Sequence, residues 1–294
     1  MECKKKRKVH YTHENNFTIY INIKTTHTLA VNFIFIKMNA IFYLQQLTHG
    51  IQYIRNLKVA IPPFFSELPL AEIVKAILII HAYRTSIGEG NVKHISWVQG
   101  FISCIILSSA GTCTVALLRG EPFSVIYKDE IWFIYGLIYC IMMFSNSFVF
   151  KWISFIFTNF PVLKVIFIFI SGLHRGYSLV QYGVDGVTIK TENKKIIARV
   201  LCGTLTGCGG GLWNEILGLD RLQWRLTMPR LSVDVKISFW STIVYILLTM
   251  LLTLQEDAQA LGSLLFTILL IYNKVKKITH NHSNKDVSKL KKNA

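Results

Sequence analysis

The chain has 294 residues, 52% of them apolar and only 16% charged, with 32 Lys and Arg against 16 Asp and Glu for a formal charge of +16. That balance excludes a large soluble domain and reads as an integral membrane protein, whose positive excess suits anionic headgroups or a cytosolic tail before nucleic acid. Cys3, Cys104, Cys113, Cys140, Cys202 and Cys208 argue against a disulfide framework, because five of the six lie in apolar segments and none in a loop.

The first feature in chain order is the run Lys4-Lys5-Lys6-Arg7-Lys8-Val9, which has the form of a nuclear import signal. Ahead of membrane segments it is better read as a cytosolic positive flank. The first apolar stretch starts near Leu29, lacks a small-residue cleavage site and contains Lys37, so it does not read as a cleavable signal peptide. Spans need ~20 mostly apolar residues. Seven segments approach that length: Leu68–Tyr83, Trp97–Leu118, Ile131–Phe150, Phe160–Val180, Ile196–Leu217, Ile237–Leu254 and Ala258–Tyr272. The second, third and sixth are the clearest. The first contains Glu72 and Lys75, three residues apart on one helical face and placed to pair. The seventh follows the sixth through Gln255-Glu256-Asp257, read as a tight hairpin.

The loops set the orientation. With a cytosolic tail, the cytosolic side carries Arg84, Lys93, Lys151, Arg221, Arg225, Arg230 and Lys236, whereas the other side mixes Arg119, Lys128, Lys190, Lys194 and Lys195 with Glu121, Asp129 and Glu130. The bias favours a cytosolic C-terminus. The ending Lys291-Lys292-Asn293-Ala294 resembles a dilysine retrieval signal of endoplasmic reticulum proteins. Seven spans would then place Met1 on the far side. Either Leu29–Leu44 adds a short span, or residues 1–60 are a poorly specified extension with Met38 as an alternative start; the second reading is preferred. The expected layout is therefore an extension over 1–60, a seven-span domain over 61–273 and a basic cytosolic tail over 274–294.

No HExxH, P-loop, GxSxG or metal-spaced Cys/His cluster is present, so the chain is expected not to be an enzyme and to hold no metal. The fourth span is the polar one, with Lys164 near its start and His174-Arg175 near its end. Ionisable groups inside a span usually face a water-filled path or bind headgroups. If the helix ends near residue 175, Arg175 instead snorkels to the interface, as Lys164 is expected to do.

In the fifth span Gly203, Gly207 and Gly211 recur every fourth residue, a small-residue face suited to helix packing. Gly209 and Gly210 lie off that face and are read as weakening the helix all round. Gly111 echoes them in the second span, within Ser108-Ser109-Ala110-Gly111-Thr112. Spans two and five are thus the middle members of two three-span groups. Since three is odd, such groups insert with opposite orientation, the inverted-repeat logic of channels and transporters.

Several segments together resemble the trimeric intracellular cation channels, the TRIC or transmembrane protein 38 family, from about His94 to Lys277. They are Ile95–Trp97, Leu117–Pro122 (LLRGEP), Ile131-Trp132, Pro161-Val162, Ser171-Gly172, Gly203–Gly210 (GxxxGxGG), Asn214-Glu215, and Ser232 with Lys236 and Ser238. The resemblance implies an all-α polytopic fold with seven transmembrane helices, as two inverted three-helix repeats plus a C-terminal helix. It further implies a homotrimer in the endoplasmic or sarcoplasmic reticulum membrane, with one potassium-permeable pore per protomer supplying counter-ion current for calcium release and uptake. Gly111, Gly207, Gly209 and Gly210 become the hinge glycines of the pore. His174, Arg175 and Lys164 become the lipid-binding or gating residues, with a phosphoinositide as the bound lipid and no other cofactor. Departures mark a divergent member: His174-Arg175-Gly176 stands where animal relatives have Lys-Glu-Val, and Ser178 and Thr206 stand where they have arginine. The alternatives are a seven-span small-solute transporter and a non-conducting scaffold derived from a channel.

Overall fold

The computed structural model describes residues 42–61, 65–143, 148–187, 195–229, 232–252 and 254–292. The basic run 4–9, Lys37, Met38, Lys190, Lys194, Arg230 and most of Leu29–Leu44 lie outside them. The chain divides into two units, Met1–His49 and Gly50–Ala294. In the first, residues 42–49 are helical. Everything below concerns the second.

It opens with helical residues 50–56 and a two-stranded antiparallel hairpin, β1 (Lys58–Ile61) and β2 (Phe65–Pro69), pairing Lys58 with Pro69 and Val59 with Leu68. The sequence reading assigned no strands here. Pro69 disfavours helix at the end of this stretch, and the β-branched Val59 and Ile61 favour extended chain. The rest is helical: α1 (Leu70–Ile87), α2 (Trp97–Arg119), α3 (Asp129–Met143), α4 (Phe148–Asn159), α5 (Pro161–Tyr177), α6 (Ile196–Leu217), α7 (Val233–Leu251) and α8 (Gln255–Lys292). Local chemistry sets several ends. Pro161 opens α5, where its missing N–H costs nothing. Gly120 and Gly218, at φ 64° and 60°, close α2 and α6 in the left-handed conformation that glycine adopts without strain.

Among the described residues, five helical stretches are long and apolar enough to cross a membrane: Trp97–Arg119, Pro161–Asp185, Ile196–Leu217, Val233–Leu251 and Gln255–Lys276. The pair α3 and α4 makes a sixth if counted as one bent span. The molecule is thus an all-α polytopic membrane protein carrying one short hairpin. Several sequence expectations change. The third span, expected unbroken over Ile131–Phe150, is two helices at 90° to one another. The first is a full helix, yet Glu72, Lys75 and Arg84 leave it too charged to count as an apolar span. Arg84 is nonetheless 2% exposed, its guanidinium donating to the Met142 carbonyl and lying 4.2 Å over the Phe150 ring. Gln255-Glu256-Asp257 form the first turn of α8 rather than the loop before it, where the two acids favour the positive end of the helix dipole. That helix also runs through the 273/274 boundary without a break.

The middle helices α2 and α6 lie side by side and antiparallel, since Leu107 meets Gly210, Gly111 meets Thr206, and Gln99 Nε2 donates to the Leu222 carbonyl beyond α6 (2.9 Å). α8 covers α5 through a second seam of small residues. Gly172 sits against Thr267 and Gly176 against the backbone of Ser263, one helical turn apart on each side.

Candidate functional site

α5 does not end where the sequence suggested. Beyond Tyr177 it continues as a wider, π-helical turn over Ser178–Asp185, so the apolar span reaches Asp185 rather than Val180. Arg175 therefore lies ten residues inside the span, and the snorkelling alternative for it does not apply. It faces inward, its Nε donating to the Gly207 carbonyl at 2.6 Å and its Nη2 lying 3.7 Å from Asp234 Oδ2 at the start of α7. Its neighbour His174 turns to the other half of the bundle, with Nε2 2.7 Å from Glu72 Oε2 on α1. The Glu72 carboxylate also accepts from Lys75 Nζ (3.1 Å), as the three-residue spacing predicted, and from the Tyr135 hydroxyl (3.4 Å). Of these two consecutive residues, His174 thus ties α5 to the first three-helix group and Arg175 ties it to the other helices of its own.

Both residues line a cavity of about 1030 Å³ whose wall is formed mainly by α1, α2, α5 and α6. Its wall holds the hydroxyls of Ser108, Ser109, Thr112, Ser171 and Thr206 as well as Arg119, Asp234 and Lys274. A row of hydroxyls and charged groups along membrane-length helices is what a hydrated path needs, because the hydrocarbon outside offers polar groups no partners. Lys164, the third basic residue singled out from the sequence, is not among the lining residues.

Where the chain following α2 meets the π-helical turn, Arg119 forms a clamp. Its Nη1 donates to the Tyr182 carbonyl and its Nη2 to Glu121 Oε1, both at 2.7 Å, and its guanidinium lies 4.7 Å over the Tyr182 ring. Gly186 leaves the room for it, since a Cβ there would lie 2.8 Å from Nη2. Deeper in the same turn, buried Asp185 accepts from Tyr245 Oη (2.6 Å) and Gln259 Nε2 (2.7 Å) on one carboxylate oxygen. Neither constellation was picked out from the sequence. Both depend on a span continuing past Gln181-Tyr182, whose polarity reads as an ending.

The glycines behave differently from expectation. α6 runs as one α-helix through all five of them, without an unwound turn. The every-fourth set packs as predicted, Gly203 against Thr242 and Gly207 against Ser238 of α7. Gly209 and Gly210, which seemed superfluous to packing, meet the backbone of α2 directly. A Cβ on Gly209 would fall on the Cα and N of Gly111, and one on Gly210 on the Leu107 carbonyl oxygen. A Cβ on Gly111 would lie 2.5 Å from the Thr206 carbonyl oxygen. Glycine at these positions lets two backbones touch. Gly111 and Gly210 also line the cavity, whereas Gly207 and Gly209 do not. Among the described residues no group of His, Cys, Asp and Glu is arranged to hold a metal ion, and the five described cysteines are free thiols.

No protein-family model matches the chain, and none of the curated proteins matches it in sequence. Among solved structures it is similar to a trimeric intracellular cation channel from C. elegans determined without Ca2+, with a TM-score of 0.59 and 20% identity over 80% of this chain and 97% of that one. It is also similar to a TRIC counter-ion channel described in relation to calcium release, with a TM-score of 0.60 and 16% identity over 72% of this chain and 93% of that one. At these identities the likeness establishes the fold.

Proposed function

We propose that this protein is a passive monovalent-cation channel of an intracellular membrane, permeable to potassium, with the polar cavity between α1, α2, α5 and α6 as the conduction path of each protomer. The carrying observation is that cavity, lined by hydroxyls and charged groups inside a bundle with the fold of two structures described as cation channels. Conduction through it requires no chemistry by the protein, only a hydrated path whose fixed charges shape ion occupancy. In this reading the chain is a homotrimer in the endoplasmic reticulum membrane with a cytosolic C-terminus, and its current balances calcium movement. A phosphoinositide headgroup at the basic residues belongs to the same proposal. His174 and Arg175 already hold Glu72 and Asp234, so such a lipid competes with those partners or rests mainly on Lys164.

Recording from purified protein in planar bilayers under symmetric potassium chloride tests the proposal. Discrete potassium-carrying openings are expected. A correctly folded, monodisperse protein that gives no potassium current refutes it.

A further inference from the structure

Among the described residues, His174 is the one cavity-lining side chain of a type that ordinarily changes charge between pH 5 and 8. It stands at the level where α5 is tied to both halves of the bundle. From the contact between His174 Nε2 and Glu72 Oε2 in the cavity wall, we infer that His174 is a proton-operated brake on cation flux; the inference rests on the channel reading above.

The charged surroundings of His174 define the effect. On α1, Glu72 faces it directly and is balanced by Lys75 at 3.1 Å. Tyr135 on α3 reaches the same carboxylate. On α5 itself Arg175 is adjacent, facing Asp234 on α7. Lys274 on α8 lines the same cavity, while α6 brings the Gly207 carbonyl to Arg175. Glu72 with Lys75 sums to zero, as does Arg175 with Asp234. These pairs offset one another whether or not His174 is charged, so its protonation adds a full positive charge to the wall, which Lys274 also lines. Two consequences follow. The added charge repels an entering cation through a medium less polar than bulk water. It also turns the His174–Glu72 hydrogen bond into an ion pair, which draws α5 toward α1 across the cavity.

The experiment is the potassium conductance of purified wild-type, His174→Gln and His174→Lys proteins in planar bilayers of neutral lipid, from pH 8 to pH 5.5. Wild-type conductance is expected to fall by about threefold or more on acidification. His174→Gln, which keeps a hydrogen-bond donor but cannot become charged, is expected to stay high and flat. His174→Lys, charged throughout, is expected to stay low and flat. The pH profile separates this role from a merely structural one, because a structural loss lowers current without flattening its dependence on pH. A wild-type current that does not change with pH, or a pH dependence that survives in both variants, overturns the inference and leaves the channel reading intact. No potassium current from wild type at any pH overturns the channel reading, and this inference with it.

Discussion

Replacing Gly209 by alanine adds one methyl where α6 crosses the backbone of α2. The three atoms nearest that methyl are all backbone: the Cα and N of Gly111, with the carbonyl carbon of Ala110 at 3.2 Å. Carbon atoms rest about 3.5–4.0 Å apart, so α2 and α6 must separate by more than an ångström, and no rotamer change can absorb the strain. Overpacking of a close-packed site costs about 1–3 kcal/mol. Parting the helices also loosens the neighbouring contacts of Gly111 with Thr206 and of Gly210 with Leu107. Against this stands the gain of alanine over glycine in a helix, about 1 kcal/mol at most. A net loss near 2 kcal/mol is expected. Gly136→Ala in α3 is the control, because a Cβ there meets nothing within 4 Å and only the helix-forming gain remains. Thermal unfolding of the purified proteins in one detergent, followed by intrinsic fluorescence, should rank Gly136→Ala at or above wild type and Gly209→Ala several degrees below it. If Gly209→Ala matches Gly136→Ala, the backbones do not touch and the close-crossing account fails.

Two further predictions concern the π-helical turn. Gly186→Ala should destabilise wild type by about 1–3 kcal/mol, because the methyl displaces the Arg119 guanidinium from the Tyr182 carbonyl and Glu121; in an Arg119→Met background it should cost little, and additive losses in that double-mutant cycle refute the clamp. Tyr245→Phe removes a donor from the buried Asp185 carboxylate and should cost about 1–3 kcal/mol in the same unfolding measurement; an unchanged midpoint means Asp185 does not depend on it.

The sequence and the structure part company where information is non-local. The bounds of α6, Ile196–Leu217, follow from hydropathy alone, because Lys195 and Gly218 punctuate it at both ends. The Glu72–Lys75 pair follows from helical spacing. The role of Gly209 does not, since nothing in its own helix says that Gly111 lies opposite; the only trace was that both segments break their apolar pattern with glycine. Arg175 and Asp185 were obscured by the same ambiguity. A membrane helix whose last turns carry Gln181, Tyr182 and Asp185 looks finished, unless partners such as Tyr245 and Gln259 on other helices are known. The break between α3 and α4 was missed for the opposite reason: the polar triplet Ser145-Asn146-Ser147 is too short to lower the average of a long apolar stretch, so hydropathy joins what geometry separates.

The contact between Gly111 and Gly209 has a mechanical side. A junction made of bare backbone has no side chain to unlock, so sliding one helix along the other, or pressing them together, meets hard repulsion at once. The two helices are also held away from that point, where Trp213 Nε1 donates to Thr114 Oγ1 (2.8 Å) and Gln99 Nε2 to the Leu222 carbonyl (2.9 Å), so register and crossing angle are fixed together. Gly111 and Gly210 place that fixed point in the wall of the cavity itself.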